Sequence, residues 1–145
     1  MATWPTGWPG TPTASTRSSP TRAWALDAFR GTTDDSQFWD QVFTPEGASA
    51  NSPHRHVAEI RTPMLVIHGD RDYRVPIGEG IRLWSDLAAH HGHDDGTLPH
   101  RYLYFPDENH WILSPQNSII WWETVFAFLD EHVRGADWAR PANLG

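Results

Sequence analysis

The 145-residue chain contains no cysteine and no lysine. Without cysteine there is no disulfide framework, no thiol nucleophile and no thiolate zinc site, which is compatible with a cytosolic chain without requiring one. Without lysine, all 11 basic residues are arginine, and against 18 acidic residues they leave a formal charge of −7. That balance, with no basic cluster, excludes a nucleic-acid-binding surface. No apolar run reaches the roughly 18 residues of a membrane span, and the N-terminus holds no signal-peptide core. Nor does G-x-S-x-G occur anywhere, so none of the serines stands on a strand-to-helix nucleophile elbow. The length fits one domain or less.

The lack of lysine has a second use. Arginine codons are mostly GC-rich and lysine codons AT-rich, so the composition points to a GC-rich gene. Residues 5–23, PTGWPGTPTASTRSSPTRA, hold no Val, Ile, Leu, Phe, Met, Tyr, Asp or Glu. One reading is a disordered linker, unable to bury a core face. The preferred reading is a locally frameshifted translation. Every residue type in the stretch has C or G at the second codon position, as results when GC-rich third positions slip into second place. Under either reading the stretch carries no function.

From Trp24 onward the pattern is that of a folded chain, expected over residues 24–134 with a short tail at 135–145. Residues 34–43 have a capped start and helical spacing at Phe38, Trp39, Val42 and Phe43, ended by Thr44-Pro45. A loop and a short helical turn follow over 48–60. Met64-Leu-Val-Ile67 is the continuous apolar run of a central parallel strand. Residues 76–91 predict an amphipathic helix with Ile81, Trp84, Leu87 and Ala88 on its apolar face. Arg101-Tyr-Leu-Tyr-Phe105 predicts a second strand. From Asn117, the spacing of Ile119, Trp122, Phe126, Leu129 and Val133 predicts a long helix that stops at Gly135. Strand, helix, strand, helix makes an α/β chain with parallel strands and flanking helices.

Two segments carry the chemistry: HGDRDYRVP at 68–76 and FPDENH at 105–110. Each follows a strand, so both lie at the carboxyl edge of the predicted sheet, where functional groups of such sheets gather. A carboxylate and an imidazole brought to one rim can form a base whose tautomer the carboxylate fixes. On spacing alone the pairing competes with ordinary loop Asp and His residues. Asp70 and Arg71 read as turn-shaping residues. Arg74 reads as a solvated arginine, or else as a partner of Asp72 or of a substrate carboxylate. His90, His91, His93, Asp94 and Asp95 offer zinc-type donors, but they span a helix end and a polar loop without the i, i+4 spacing of a zinc-binding helix, and a solvated loop is the preferred reading. His54 and His56 read as structural, His68 as packed or hydrogen-bonded, and His100 and His132 show no partner in the sequence. Trp84, Trp121 and Trp122 read as packing residues, and Trp111 as a wall beside His110.

The words WALD at 24–27, NSPH at 51–54, TPMLVIHGD at 62–70, VP at 75–76 and PDENHW at 106–111 resemble the end of the catalytic domain of the prolyl oligopeptidase family of serine peptidases. The resemblance is greatest to its dipeptidyl-peptidase and acylaminoacyl-peptidase branch, and it covers about three quarters of the chain. It implies an α/β-hydrolase fold of which this chain is a C-terminal fragment. The family's H-G-x-x-D-x-x-V word falls on His68, Gly69, Asp72 and Val75, which makes Asp72, rather than Asp70, the triad carboxylate. Its D/E-x-H word falls on Asn109-His110, which makes His110 the general base. Met1-Ala-Thr-Trp4 resembles the start of the helix after the family's G-G-S-Y-G-G-Y elbow, so the serine is expected immediately upstream of Met1.

The resemblance implies hydrolysis of peptide bonds in short peptides through an acyl-enzyme, with a peptide as the partner of the complete enzyme and no metal or organic cofactor. Without the serine and the oxyanion-hole donors, this chain is expected to be inactive alone. The alternative is a non-catalytic remnant or interaction module. Missing strands predict an exposed sheet edge through which the chain could self-associate.

Overall fold

The computed structural model describes residues 32, 33, 41 and 44–144. The expected linker at 5–23 and nearly all of the helix predicted at 34–43 lie outside the described residues. The described chain forms, in order, α1 (Pro45–Ala50), a 3₁₀ helix (Pro53–Glu59), β1 (Leu65–Gly69), α2 (Ile77–His91), β2 (Arg101–Phe105) and α3 (Pro115–Arg134).

Thr44-Pro45, predicted to end a helix, also begins one. Thr44 is the N-cap, its side chain accepting from the Gly47 N–H at 3.1 Å, and Pro45 occupies the first turn, where a missing N–H costs nothing. Pro53 and Pro115 likewise occupy the first turns of the 3₁₀ helix and α3, where Ser52 and Ser114 make no side-chain cap. At its far end α3 stops as predicted. Gly135 adopts the left-handed conformation (φ 69°) and returns its N–H to the Asp130 carbonyl.

β1 and β2 are parallel and fully in register, from Leu65 opposite Arg101 to Gly69 opposite Phe105. Alternation then sorts the side chains between two layers. Val66 and Tyr102 face α2 and the 3₁₀ helix, in a cluster with Val57, Leu83 and Leu87. Leu65, Leu103 and Phe105 face α3, where they meet Val125 and Phe128. The bidentate Arg101–Glu131 pair, 2.9 Å at its shortest, fastens β2 to α3, and the Arg101 guanidinium lies 3.7 Å over the Trp138 ring.

Both long helices occur where predicted, and Leu87, Trp84 and Leu129 of the predicted faces do pack inward, but the rest of each buried face differs from the prediction. α2 buries Gly80, Leu83 and Leu87 and leaves Ile81 exposed. α3 buries Thr124, Val125, Ala127 and Phe128, while Ile119, Trp122, Phe126 and Val133 face outward. The physical reason for α3 is that it is apolar nearly all round, so either stripe could have met the sheet. The outward Trp122 stacks on Phe126 at 5.7 Å and on the half-buried Trp121 at 5.0 Å.

His100, without a visible partner in the sequence, sits at the entry to β2. It is 3% exposed and accepts the Met64 N–H on Nδ1 at 3.1 Å. Burial, and then the neighbouring His91 and His132, push its pKa down to about 4 from an ordinary 6.5. The unfolded chain therefore takes up a proton that the folded chain refuses. Its stabilising contribution is complete above pH 6.5 and is lost as pH falls toward 4. His100→Asn keeps an acceptor for Met64 and cannot ionise. Urea melts from pH 7 to 4.5 are expected to show a shallower loss of stability for this variant than for the wild type.

Candidate active site

The in-register strands end together, and the chain leaves both ends on the same rim. Asp70 N–H donates to the Phe105 carbonyl and Arg71 N–H to the Glu108 carbonyl, each at 2.9 Å, so the two loops begin as an extension of the sheet. This close contact requires Gly69. A Cβ there would stand 2.4 Å from the Asn109 carbonyl oxygen and 2.5 Å from that of Glu108.

Past this contact the loop from β1 folds around its own carboxylate. Asp72, 6% exposed, accepts the N–H groups of Arg74 and Val75 on Oδ1 at 2.9 and 2.8 Å. Its other oxygen, Oδ2, lies 2.9 Å from His110 Nδ1. The structure therefore brings Asp72 and His110 into direct contact. Because a carboxylate only accepts, the His110 proton lies on Nδ1, leaving Nε2 with the lone pair that a base needs.

The loop from β2 is organised by a residue that the sequence reading passed over. Glu108, 4% exposed, accepts Leu113 N–H on one oxygen and Ser114 N–H and the Asn117 side-chain amide on the other, at 3.1, 3.1 and 2.7 Å. Burial alone would raise its pKa, but these hydrogen bonds outweigh burial and hold it below the ordinary 4.5. The only signal available in the sequence was a carboxylate shortly before the Ser114-Pro115 helix start, where negative charge is favoured.

The other candidates separate. Arg71 pairs with the Asp107 carboxylate at 3.1 Å on the surface. Arg74 meets Asp72 through its backbone N–H. His68 is buried in the sheet and bonded to the Val75 carbonyl, and His54 Nδ1 meets Ser52 Oγ at 2.8 Å. The His90–Asp95 segment is not drawn together. His91 turns to the Val57 carbonyl and Asp95 binds Thr97, and no group of three or more His, Asp or Glu among the described residues is placed to hold a metal. A shallow cavity of about 220 Å³ opens beside His110, lined by Arg71, Tyr73, Arg74, Asn109 and Trp111. Trp111 and Tyr73 are 64% and 75% exposed, large aromatic surfaces beside the His110 imidazole.

A carboxylate and a histidine at the carboxyl edge of a parallel pair, with helices on both faces, is the arrangement of the α/β-hydrolase fold. Two solved structures share the fold. A puromycin-hydrolysing peptidase of Mycobacterium tuberculosis superposes with a TM-score of 0.63 at 23% identity, over 76% of this chain and 17% of its own. An acylaminoacyl peptidase of Pyrococcus horikoshii gives 0.67 at 17% identity, over 81% and 20%.

In sequence, residues 14–136 match the model of the prolyl oligopeptidase family, and the chain belongs to that family. Dipeptidyl-peptidase 5 of Aspergillus fumigatus is 35% identical over 124 residues, 85% of this chain and 16% of the relative. Dipeptidyl-peptidase 5 of Porphyromonas endodontalis is 42% identical over 91 residues, 63% and 12%. The chain thus spans less than a fifth of the length of these relatives.

Glu108→Gln removes the charge and one of the two strong acceptors while keeping the shape, which leaves a buried N–H poorly satisfied. A loss of about 1–3 kcal/mol in urea unfolding at pH 7 is expected. Since the folded pKa lies below 4.5, wild-type stability from this group holds above that value and declines as pH falls below it, so the gap between the two proteins should close in acid.

Proposed function

We propose that Asp72 and His110 are the carboxylate and the general base of a serine-peptidase triad whose nucleophile lies in polypeptide preceding this stretch. The observation that carries the reading is the 2.9 Å contact of His110 Nδ1 with Asp72 Oδ2, which directs Nε2 outward. In the proposed reaction, Nε2 takes the proton of the serine hydroxyl as its oxygen attacks the peptide carbonyl. Asp72 keeps the ring in the reactive tautomer and stabilises the imidazolium that results. His110 then gives the proton to the leaving amine, and an acyl-enzyme remains. In the second half, water loses a proton to Nε2 as it attacks the ester, and the imidazolium returns that proton to the serine oxygen as the acid is freed. The substrates are short peptides, in keeping with the names of the peptidase relatives.

The Asp72 environment suits this task. Two backbone N–H groups occupy Oδ1, so Oδ2 faces His110 without rotational freedom. A second reading, a non-catalytic interaction module, rests on a specific observation. Among the described residues no serine lines the cavity beside His110, while α3 presents an outward apolar stripe. A base without nucleophile or oxyanion hole has no charge to move.

Sequencing the transcript upstream of the Met1 codon is expected to reveal an in-frame G-x-S-x-G. In the protein carrying that serine, a fluorophosphonate probe should label it, and Asp72→Asn should lower kcat by about 10⁴-fold, as loss of the correct tautomer does elsewhere. The chain of residues 1–145 by itself should take no label. Labelling of that chain, or an Asp72→Asn enzyme with undiminished kcat, would contradict the assignment.

A further inference from the structure

His68 is the most deeply placed imidazole near the site, yet it has no part in the proton transfers above. It lies on β1, facing α2, and is 3% exposed. Its Nε2 stands 2.7 Å from the Val75 carbonyl oxygen. A carbonyl only accepts, so Nε2 carries the proton. Nδ1 is buried without a hydrogen-bond partner, and α2 is packed directly on it: a Cβ on Gly80 would lie 2.4 Å away. The ring is thus clamped in one orientation and one tautomer, with a single donor directed at the loop that carries Asp72.

Val75 is the point where that donor acts. Its carbonyl accepts from His68, and its own N–H donates to Asp72 Oδ1 at 2.8 Å. The residue that orients the carboxylate is therefore itself pinned by the strand. His68 Nε2 is also 3.6 Å from Asp72 Oδ2, the oxygen that meets His110. That distance is too long for a hydrogen bond, so the His68 donor acts on the carboxylate only through Val75.

We propose that His68 is a positioning residue for the Asp72–His110 pair: its Nε2–H, held by α2, fixes Val75 and through Val75 the carboxylate that sets the His110 tautomer. The proposal rests on the reading of Asp72 and His110 as the acid–base couple. It distinguishes a donor from a filler. A large apolar side chain would occupy the same space and leave the Val75 carbonyl unbonded, whereas glutamine places an amide N–H close to where Nε2 stands.

The test is a long-range ¹H–¹⁵N correlation spectrum of the histidine-labelled chain, which reports the ring nitrogen that carries each proton. The His110 signals are assigned by their disappearance in His110→Gln, and amide protection in β1 and β2 serves as the check of fold. Wild-type protein is expected to show His110 protonated on Nδ1. His68→Phe is expected to lose that signature, leaving His110 as a mixture of tautomers, and His68→Gln to retain it. A folded His68→Phe with the Nδ1–H signature intact would overturn the role of His68. So would a folded His68→Gln that loses it, and that variant decides the matter if His68→Phe does not fold. Wild-type protein without the signature would overturn the Asp72–His110 couple as well, so failure of the underlying reading is distinguished from failure of this one.

Discussion

The backbone at Gly69 approaches the Glu108 and Asn109 carbonyls so closely that no side chain fits between them, and the rest of the site follows from that approach. Two parallel strands in register bring their ends to one rim, but strand ends alone leave several ångströms of freedom to the loops beyond. The contacts from Asp70 and Arg71 to Phe105 and Glu108 remove it. Three residues past Gly69 the chain reaches Asp72, and one residue past Asn109 it reaches His110. Any residue with a Cβ at position 69 would force the loops apart and separate the pair, even though it touches neither side chain.

Each loop is built around one buried carboxylate. Asp72 collects the N–H groups of its own loop on one oxygen and offers the other to His110. Glu108 collects the N–H groups that lead into α3. A buried carboxylate without donors is strongly disfavoured, so each loop must keep the conformation that supplies them. Each loop is thereby held in one conformation by its own hydrogen bonds, which is what the proposed acid–base pair would need to keep its geometry. The strand and helix layers supply only the platform.

Much of this was legible in the residues. The apolar runs ending at Ile67 and Phe105 located both strands, and HGDRD and DENH placed a carboxylate and an imidazole just past them. The helix that stops at Gly135 could be read from its spacing. Which face of each helix turns inward could not. In α2, Gly80 contributes nothing to a hydrophobic pattern, yet its missing side chain admits His68. In α3, the stripe of Ile119, Trp122 and Phe126 and the stripe of Trp121, Val125 and Phe128 are equally apolar, and periodicity cannot choose between them. Glu108 was hidden for another reason: two of its three partners are backbone N–H groups, and these leave no trace in residue identity.

The central claim is that Asp72 and His110 act as one coupled unit across the two loops. A double-mutant cycle on urea unfolding at pH 7, with Asp72→Asn, His110→Gln and the pair, tests it most directly. The account predicts an interaction energy of about 0.5–3 kcal/mol, the range for residues in direct contact. Strict additivity of the two substitutions would contradict it and would show that the two loops hold their shapes independently of that contact.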